Sequence, residues 1–316
     1  MSTENRYKWS VALTTFIFFV LLLAAVKTGY AQSKDEAYTV ENFNTSGDVN
    51  LEVQTSGGSI KVIGSSNGEV SVEMYVRHRG KYIAPGEAKL DDYEIDISQS
   101  GNTIKAISKR ESRGGWIWNR DGYSISFIVY TPNETRTRLK TSGGSLTAKN
   151  LTGSQELRTS GGSITTEGIV GKQLLKTSGG SINITDTQGE VEANTSGGRI
   201  IAKSVVGGMD ARTSGGSITL EGMEGNVSAK TSGGSIRAEI LSPHDFIELR
   251  TSGGSIGITV PKENGYTLDL DGSRVRTELI NFNGESERDE IRGKMNGGGT
   301  VVRAKTSGGS VTMNYL

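Results

Sequence analysis

Apolar and polar residues alternate along most of this chain with a period of two, which is the pattern of a β-strand with one buried face. The alternation is most regular between residues 139 and 260, where it restarts after each copy of the string Thr-Ser-Gly-Gly. No stretch shows the 3.6-residue period of an amphipathic helix over several turns. The pattern predicts an all-β protein. The copies begin every 18 residues at first and then after 20, at Thr141, Thr159, Thr177, Thr195, Thr213, Thr231 and Thr251.

Equivalent positions in successive copies carry apolar residues, so the copies share a set of apolar columns. The column two residues before each Thr comprises Leu139, Leu157, Leu175, Ala193, Ala211, Ala229 and Leu249. The column five residues after it comprises Leu146, Ile164, Ile182, Ile200, Ile218, Ile236 and Ile256. A column ten residues after it comprises Leu151, Ile169, Val205, Met223 and Leu241. One copy cannot bury its apolar face alone, whereas stacked copies share a continuous core.

These columns predict a single-stranded β-solenoid with about 18 residues per coil and neighbouring coils about 4.8 Å apart. Ile200 and Ile218 should then stack in one buried column. The Gly-Gly pair should form one corner, because Gly reaches positive φ without steric cost. Alternation turns each motif Thr inward, where its hydroxyl can bond backbone groups at the bend. A second corner is expected at Gly153, Gly171, Gly189, Gly207 and Gly225.

Residues 62–138 lack the string but contain alternating runs separated by polar, Gly-bearing loops. The runs are Val70–Val76, Tyr93–Ile97, Thr103–Ile107 and Ser124–Tyr130. We expect one solenoid domain over residues 32–316, with elaborated N-terminal coils at 62–138 that cap the open end. The regular repeats would occupy 139–260 and the C-terminal coils 261–316.

The first 31 residues have the features of a secretory signal peptide. Arg6 and Lys8 precede an apolar run over residues 11–26, and Gly29 and Ala31 suit cleavage before Gln32. The alternative is an uncleaved anchor, although a spanning helix usually needs about 20 apolar residues. The sequence predicts export to the periplasm, the outer-membrane surface or the medium.

Composition narrows the possible chemistry. The chain has no Cys, so disulfides and cysteine chemistry are excluded, and its formal net charge of zero argues against nucleic-acid binding. Acidic residues are scattered rather than paired on neighbouring copies, and the two histidines, His78 and His244, lie far apart in sequence. The Gly-rich turns contain almost no carboxylates for calcium. We expect no enzyme activity, no metal and no cofactor.

The tandem string Thr-Ser-Gly-Gly-Ser-Ile after an export signal resembles the bacterial "putative adhesin" family of domains of unknown function, akin to head domains of autotransporter adhesins. The resemblance covers Ala37 to Leu316 and includes a strand-like entry at residues 128–132 and a closing run at residues 298–314. It implies a right-handed, single-stranded β-helix at the cell envelope or surface. The family has no catalytic motif to carry over.

Two groups of residues are candidates for ligand contact. The first is an aromatic loop with Arg113, Trp116, Trp118, Arg120 and Tyr123, which either presents rings to a sugar or protein or packs on the domain. The second is a basic ladder that immediately precedes the motif Thr residues and either docks an anionic glycan or is neutralised by a neighbouring acidic column. The ladder comprises Lys140, Arg158, Lys176, Arg212, Lys230 and Arg250, and Lys305 repeats it near the end.

The sequence thus predicts a non-enzymatic, exported, adhesin-like protein that binds an envelope or surface glycan or protein. The alternative is a periplasmic structural or regulatory scaffold for a membrane-protein partner. A third hypothesis is that the protein is a polysaccharide-active β-helix enzyme. The sequence does not specify an oligomeric state.

Overall fold

The structure is a computed structural model that describes residues 37–66, 68–110 and 122–316, all within one compact unit, Asp35–Leu316. These residues form 26 β-strands and no helix, and the strands belong to one continuous hydrogen-bonded sheet. The prediction of an all-β protein is confirmed. The signal sequence proposed for residues 1–31 lies outside the described residues.

The strands fall into three groups along the chain. The N-terminal group comprises β1 (Thr39–Asn44), β2 (Val49–Thr55), β3 (Ile60–Ser65), β4 (Glu69–His78), β5 (Lys81–Tyr82), β6 (Tyr93–Ser100), β7 (Thr103–Arg110) and β8 (Ser124–Pro132). The repeat group comprises β9 (Thr135–Thr141), β10 (Leu146–Thr152), β11 (Gln155–Arg158), β12 (Ile164–Val170), β13 (Gln173–Lys176), β14 (Ile182–Gln188), β15 (Val191–Asn194), β16 (Ile200–Val206), β17 (Met209–Arg212), β18 (Ile218–Lys230), β19 (Ile236–Thr251) and β20 (Ile256–Val260). The C-terminal group comprises β21 (Tyr266–Asp271), β22 (Arg274–Arg276), β23 (Asn283–Ser286), β24 (Glu290–Met295), β25 (Thr300–Thr306) and β26 (Ser310–Tyr315).

Within the repeat group, each strand lies parallel to the equivalent strand of the next copy. Strands β10, β12, β14 and β16 pair in succession, as do β9, β11, β13, β15 and β17, with partner residues 18 apart. Ile200 and Ile218 are Cα partners, and both side chains are fully buried. The predicted register is confirmed for these strands. Each buried Leu or Ile contributes about 1.5–3 kcal/mol, so the columns are the main source of stability.

The motif threonines point inward as predicted and join successive copies. Thr213 is buried, and its hydroxyl donates to the carbonyl oxygen of Gly198 in the preceding copy at 2.8 Å. The same hydroxyl accepts a hydrogen bond from the backbone N–H of Gly216 at 3.3 Å. The threonine-to-carbonyl bond recurs at Thr141, Thr159, Thr177, Thr195, Thr231, Thr251 and Thr306.

The structure corrects the reason given above for the Gly-Gly pair. Neither Gly215 nor Gly216 has a positive φ. Instead, a Cβ on Gly216 would lie 2.0 Å from the carbonyl oxygen of Gly198, so the second glycine permits a close approach between the backbones of two copies. The second corner is confirmed, because the predicted glycines have φ between +121° and +133°: Gly153, Gly171, Gly189, Gly207 and Gly225.

A third corner was not predicted. It lies nine residues after each motif Thr and consists of left-handed residues with φ of 50° to 67°, at Asn150, Gly168, Asp186, Ser204 and Gly222. The left-handed residue interrupts the period of two. In the first copy, for example, the next buried residue after Ala148 is Leu151, three positions later. The column that follows also contains an error in the prediction. Leu241 is 44% exposed, because Ile240 is the partner of Met223 and fills the core instead.

At the two ends of the sheet, the order of the strands differs from their order in the chain. At the N-terminal end, β2 and β3 lie on β9 and β10, and β7 and β8 lie on β2 and β3. At the C-terminal end, the last strands β25 and β26 lie directly on β19 and β20, and the earlier strands β21 and β22 lie outside them. Antiparallel strands complete both ends, with β6, β4, β1 and β5 at one and β24 and β23 at the other.

Candidate functional site

Of the predicted aromatic loop, only Tyr123 belongs to the described residues; Arg113, Trp116, Trp118 and Arg120 lie outside them. Tyr123 is half-buried, and its ring centroid lies 5.2 Å from that of His78 and 6.2 Å from that of Tyr93. The Tyr93 hydroxyl donates to the backbone oxygen of Tyr123 at 3.0 Å. Tyr123 therefore packs in an aromatic cluster between β4, β6 and β8.

Two further aromatic residues lie on the outward face of β4 and β5. Tyr75 and Tyr82 have ring centroids 6.0 Å apart in an edge-to-face arrangement. The Arg77 guanidinium lies over the Tyr82 ring, 4.0 Å from its centroid, and donates a hydrogen bond to the Tyr82 hydroxyl. Tyr75 in turn donates to the Glu73 carboxylate at 2.8 Å. These contacts restrict both rings and leave Tyr82 38% exposed.

A tight hairpin places Tyr82 opposite Arg77. The two residues between β4 and β5, Arg79 and Gly80, have φ of 51° and 82°. Two consecutive positive φ values are characteristic of a type I′ turn, whose twist matches that of the flanking strands. Arg77 and Tyr82 are consequently antiparallel partners.

The two tyrosines border a concavity of about 480 Å³, which we call the tyrosine concavity. Its base is formed by residues of the neighbouring strands β8, β3 and β10, and the Ser59 backbone N–H donates to the Ser126 hydroxyl at 3.1 Å. Ring faces, two cations and several hydroxyls thus surround one depression on a hydrogen-bonded sheet. Its outward lining includes Ser59, Lys61, Tyr75, Arg77, Tyr82, Ser126, Ile128 and Thr147.

Sequence reasoning missed Tyr75 and Tyr82 as candidate contacts. The available signal was weak: the alternating run Val70–Val76 is followed by Gly80, a residue that suits a turn, but no second alternating run comes directly after it. Parallel pairing of β3 with β8 then brings Lys61 next to Ile128, although the two are distant in sequence. This proximity of Lys61 and Ile128 depends on which strands pair, and the sequence did not determine the pairing of β3 with β8.

The basic ladder forms one column in the structure. Lys140, Arg158 and Lys176 are successive Cα partners, as are Arg212, Lys230 and Arg250. Asn194 occupies the position between the two sets. Lys305 extends the column after Arg250.

Carboxylates in the column two residues before the ladder pair with most of it, from the same strand for Arg158, Arg212 and Arg250 and from the strand of the next copy for Lys176 and Lys230. The closest nitrogen–oxygen distances are 2.6 Å for Arg158–Glu156, 3.2 Å for Lys176–Glu192, 2.5 Å for Arg212–Asp210, 3.4 Å for Lys230–Glu248 and 3.0 Å for Arg250–Glu248. A hydrogen bond from Arg158 lowers the pKa of the Glu156 carboxyl, and one from Lys176 lowers the pKa of the Glu192 carboxyl. Within the described residues, Lys140 makes no ion pair. The ladder is thus largely neutralised along the regular copies.

Two searches of the described residues bear on chemistry and membrane association. They contain no group of three or more His, Cys, Asp or Glu placed to share a metal ion. They also contain no helix with the length and apolar character needed to span a bilayer.

Comparisons with known proteins give distant structural likenesses alone. No protein-family model and no curated protein matches the chain. A solved structure of a putative adhesin from Bacteroides fragilis is 12% identical, with a TM-score of 0.36, and the match covers 88% of this chain and 96% of that one. A putative cell adhesion protein from Clostridium sporogenes is 10% identical, with a TM-score of 0.21, covering 88% and 99%. Likenesses at this distance do not assign a fold or a function to the chain.

Proposed function

We propose that this chain is an exported, non-enzymatic, adhesin-like protein built on a right-handed, single-stranded β-helix. The 18-residue parallel register supports the helix, because each copy turns at three corners and returns above its starting strand. The right hand follows from the strong preference of crossovers between parallel strands. Export follows from the signal-like residues 1–31.

The tyrosine concavity is the observation that carries the binding proposal. Aromatic rings whose positions are restricted by neighbours can bind a sugar face or an apolar protein side chain at low entropic cost. Tyr82 is such a ring, because Arg77 covers one face and the hairpin fixes its backbone. Lys61 and the serine and threonine hydroxyls add hydrogen-bonding groups. We propose an envelope or surface glycan, or a protein displayed there, as the ligand.

The chemistry of the concavity supports a binding role over a catalytic one. Its lining, among the described residues, contains no carboxylate and no histidine, the groups that most often transfer protons in hydrolases. The nearby Glu73 accepts a hydrogen bond from Tyr75. The groups that do line it, rings, hydroxyls and two cations, suit recognition.

A glycan array and an envelope pull-down with the purified protein test this function. Tyr82→Ala should reduce ligand binding by about tenfold or more, because a central aromatic contact typically contributes about 2 kcal/mol. Tyr130→Ala is the matched control, since Tyr130 is 40% exposed on the same strand group but does not line the concavity. Both variants should keep the wild-type melting temperature.

Equal binding by wild type and Tyr82→Ala would refute the assignment of the site. Retention of a membrane protein without any glycan affinity would instead favour the periplasmic scaffold. Hydrolysis of a bound polysaccharide would overturn the non-enzymatic assignment.

A further inference from the structure

A second concavity, of about 550 Å³, lies where the basic ladder reaches the C-terminal end of the sheet. We call it the C-terminal concavity. Three ladder cations line it, Lys230, Arg250 and Lys305, and they come from three consecutive copies in the stack. Exposed serines from successive turns lie beside them, at Ser252, Ser273 and Ser307.

The C-terminal concavity arises because the turn between β21 and β22 is shorter than the turns of the regular copies. Each regular copy turns through Thr-Ser-Gly-Gly-Ser, but only Gly272 and Ser273 separate β21 from β22. The short turn is held against the copy beneath, because the Ser273 backbone N–H and hydroxyl both donate to the Gly309 carbonyl, at 2.9 and 2.8 Å. A two-residue turn cannot project as far as a five-residue one, so the corner recedes at this end.

The charge balance also changes at this end. Lys176 and Arg212 pair with Glu192 and Asp210 respectively in the middle of the ladder. Towards the C-terminal end two cations share one carboxylate, because Lys230 and Arg250 both contact Glu248, at 3.4 and 3.0 Å. Lys305 contacts Asp269 at 3.0 Å, and Arg292 lies 3.5 Å from the same carboxylate but has its closer contact with Glu290, at 2.5 Å.

A further cation adds to this excess. Arg303 stands in the column of acidic residues, as the Cα partner of both Glu248 and Asp269. It makes no ion pair within the described residues. The carboxylate of Asp271 lines the concavity and opposes the excess in part. The cations nevertheless outnumber the carboxylates around this depression.

We infer that the C-terminal concavity binds an anionic polysaccharide, through its carboxylate, sulfate or phosphate groups. Charge-assisted hydrogen bonds from Arg250 and Lys305 hold the anionic group. The serine hydroxyls, each able to donate and accept, bind neighbouring sugar hydroxyls. Coil spacing of about 4.8 Å presents the cations at regular intervals, which suits a repeating chain over an isolated ion.

Dextran sulfate is the probe, with uncharged dextran as its counterpart, and binding is measured by titration calorimetry at low and at physiological salt. The wild type should bind dextran sulfate and not dextran, with affinity falling as salt rises because the side chains of all three cations remain accessible to solvent. The double variant Arg250→Gln with Lys305→Gln should lose at least about tenfold in affinity. The matched control is Lys176→Gln with Arg212→Gln, which removes the same charge from the same column away from the concavity.

A gain of affinity provides a sharper test. Asp271→Asn removes the carboxylate of the lining and should tighten binding several-fold. Glu263→Gln makes the same change in net charge on an exposed side chain outside the lining and should leave binding unaltered. Melting temperatures of all variants identify any that fail to fold.

If both double variants lost the same affinity for dextran sulfate, binding would depend on general charge attraction, and the assignment of the C-terminal concavity would be wrong. Binding to phosphatidylglycerol vesicles without affinity for dextran sulfate would overturn the saccharide assignment. Tyr82→Ala should leave dextran sulfate binding intact. The proposal for the C-terminal concavity can therefore fail independently of the proposal for the tyrosine concavity.

Discussion

The two glycines of one motif copy should respond oppositely to the same substitution. In Gly216→Ala the new Cβ would lie 2.0 Å from the Gly198 carbonyl oxygen, whereas in Gly215→Ala it would lie 3.6 Å from the nearest atom. Ordinary contact between a methyl group and an oxygen needs well over 3 Å, so Gly216→Ala must separate two backbones by more than an ångström. That shift would also break the 2.8 Å hydrogen bond from Thr213 to Gly198.

The expected cost of Gly216→Ala is about 3 kcal/mol or more, at or above the upper range for overpacking, because backbone cannot rotate aside as a side chain can. Gly215→Ala should change the free energy of unfolding by less than about 1 kcal/mol, with stabilisation favoured because alanine restricts the unfolded chain. Urea denaturation followed by circular dichroism measures both. If the pair were needed for positive φ, both variants would be similarly destabilised, and that result would refute the close-approach explanation.

Two further substitutions test the core and the threonine column. Ile218→Asp should lower the free energy of unfolding by about 4 kcal/mol or more, because it buries an unpaired charge in a fully buried column, while Thr219→Asp on the outward face should cost less than about 1 kcal/mol. Equal denaturation midpoints for these two variants would contradict the register. Thr213→Val keeps the side-chain shape but removes its hydrogen bonds to Gly198 and Gly216, so denaturation should show a loss of about 1–3 kcal/mol. Thr219→Val is its control, and a loss of the same size there would mean that the buried hydroxyl has no special role.

The stacking of the regular copies was predictable because it depends on local alternation and on a repeat that returns every 18 residues. The third corner was also present in the sequence, since Asn150, Gly168 and Asp186 are all residue types that tolerate positive φ. It was missed because the three-residue step from Ala148 to Leu151 was not interpreted as a left-handed residue within the strand. The error at Leu241 has a different cause. In the copy from Thr231 the period of two continues to Ile240, so the ten-residue spacing taken from the other copies falls on an exposed residue.

The ends of the sheet could not be predicted in this way, because there the order of strands departs from the order of the chain. Strand β25 lies between β19 and β21, and β2 lies between β9 and β7, and neither arrangement follows from any local pattern. Both concavities depend on these arrangements. The tyrosine concavity needs β8 on β3, and the C-terminal concavity needs the short turn of β21 and β22 to lie on the turn that follows β25. The regular copies therefore form a predictable scaffold on which the basic ladder is largely neutralised by carboxylates. The groups suited to binding lie at the two ends of the sheet, where the strand order brings together residues that are distant in sequence.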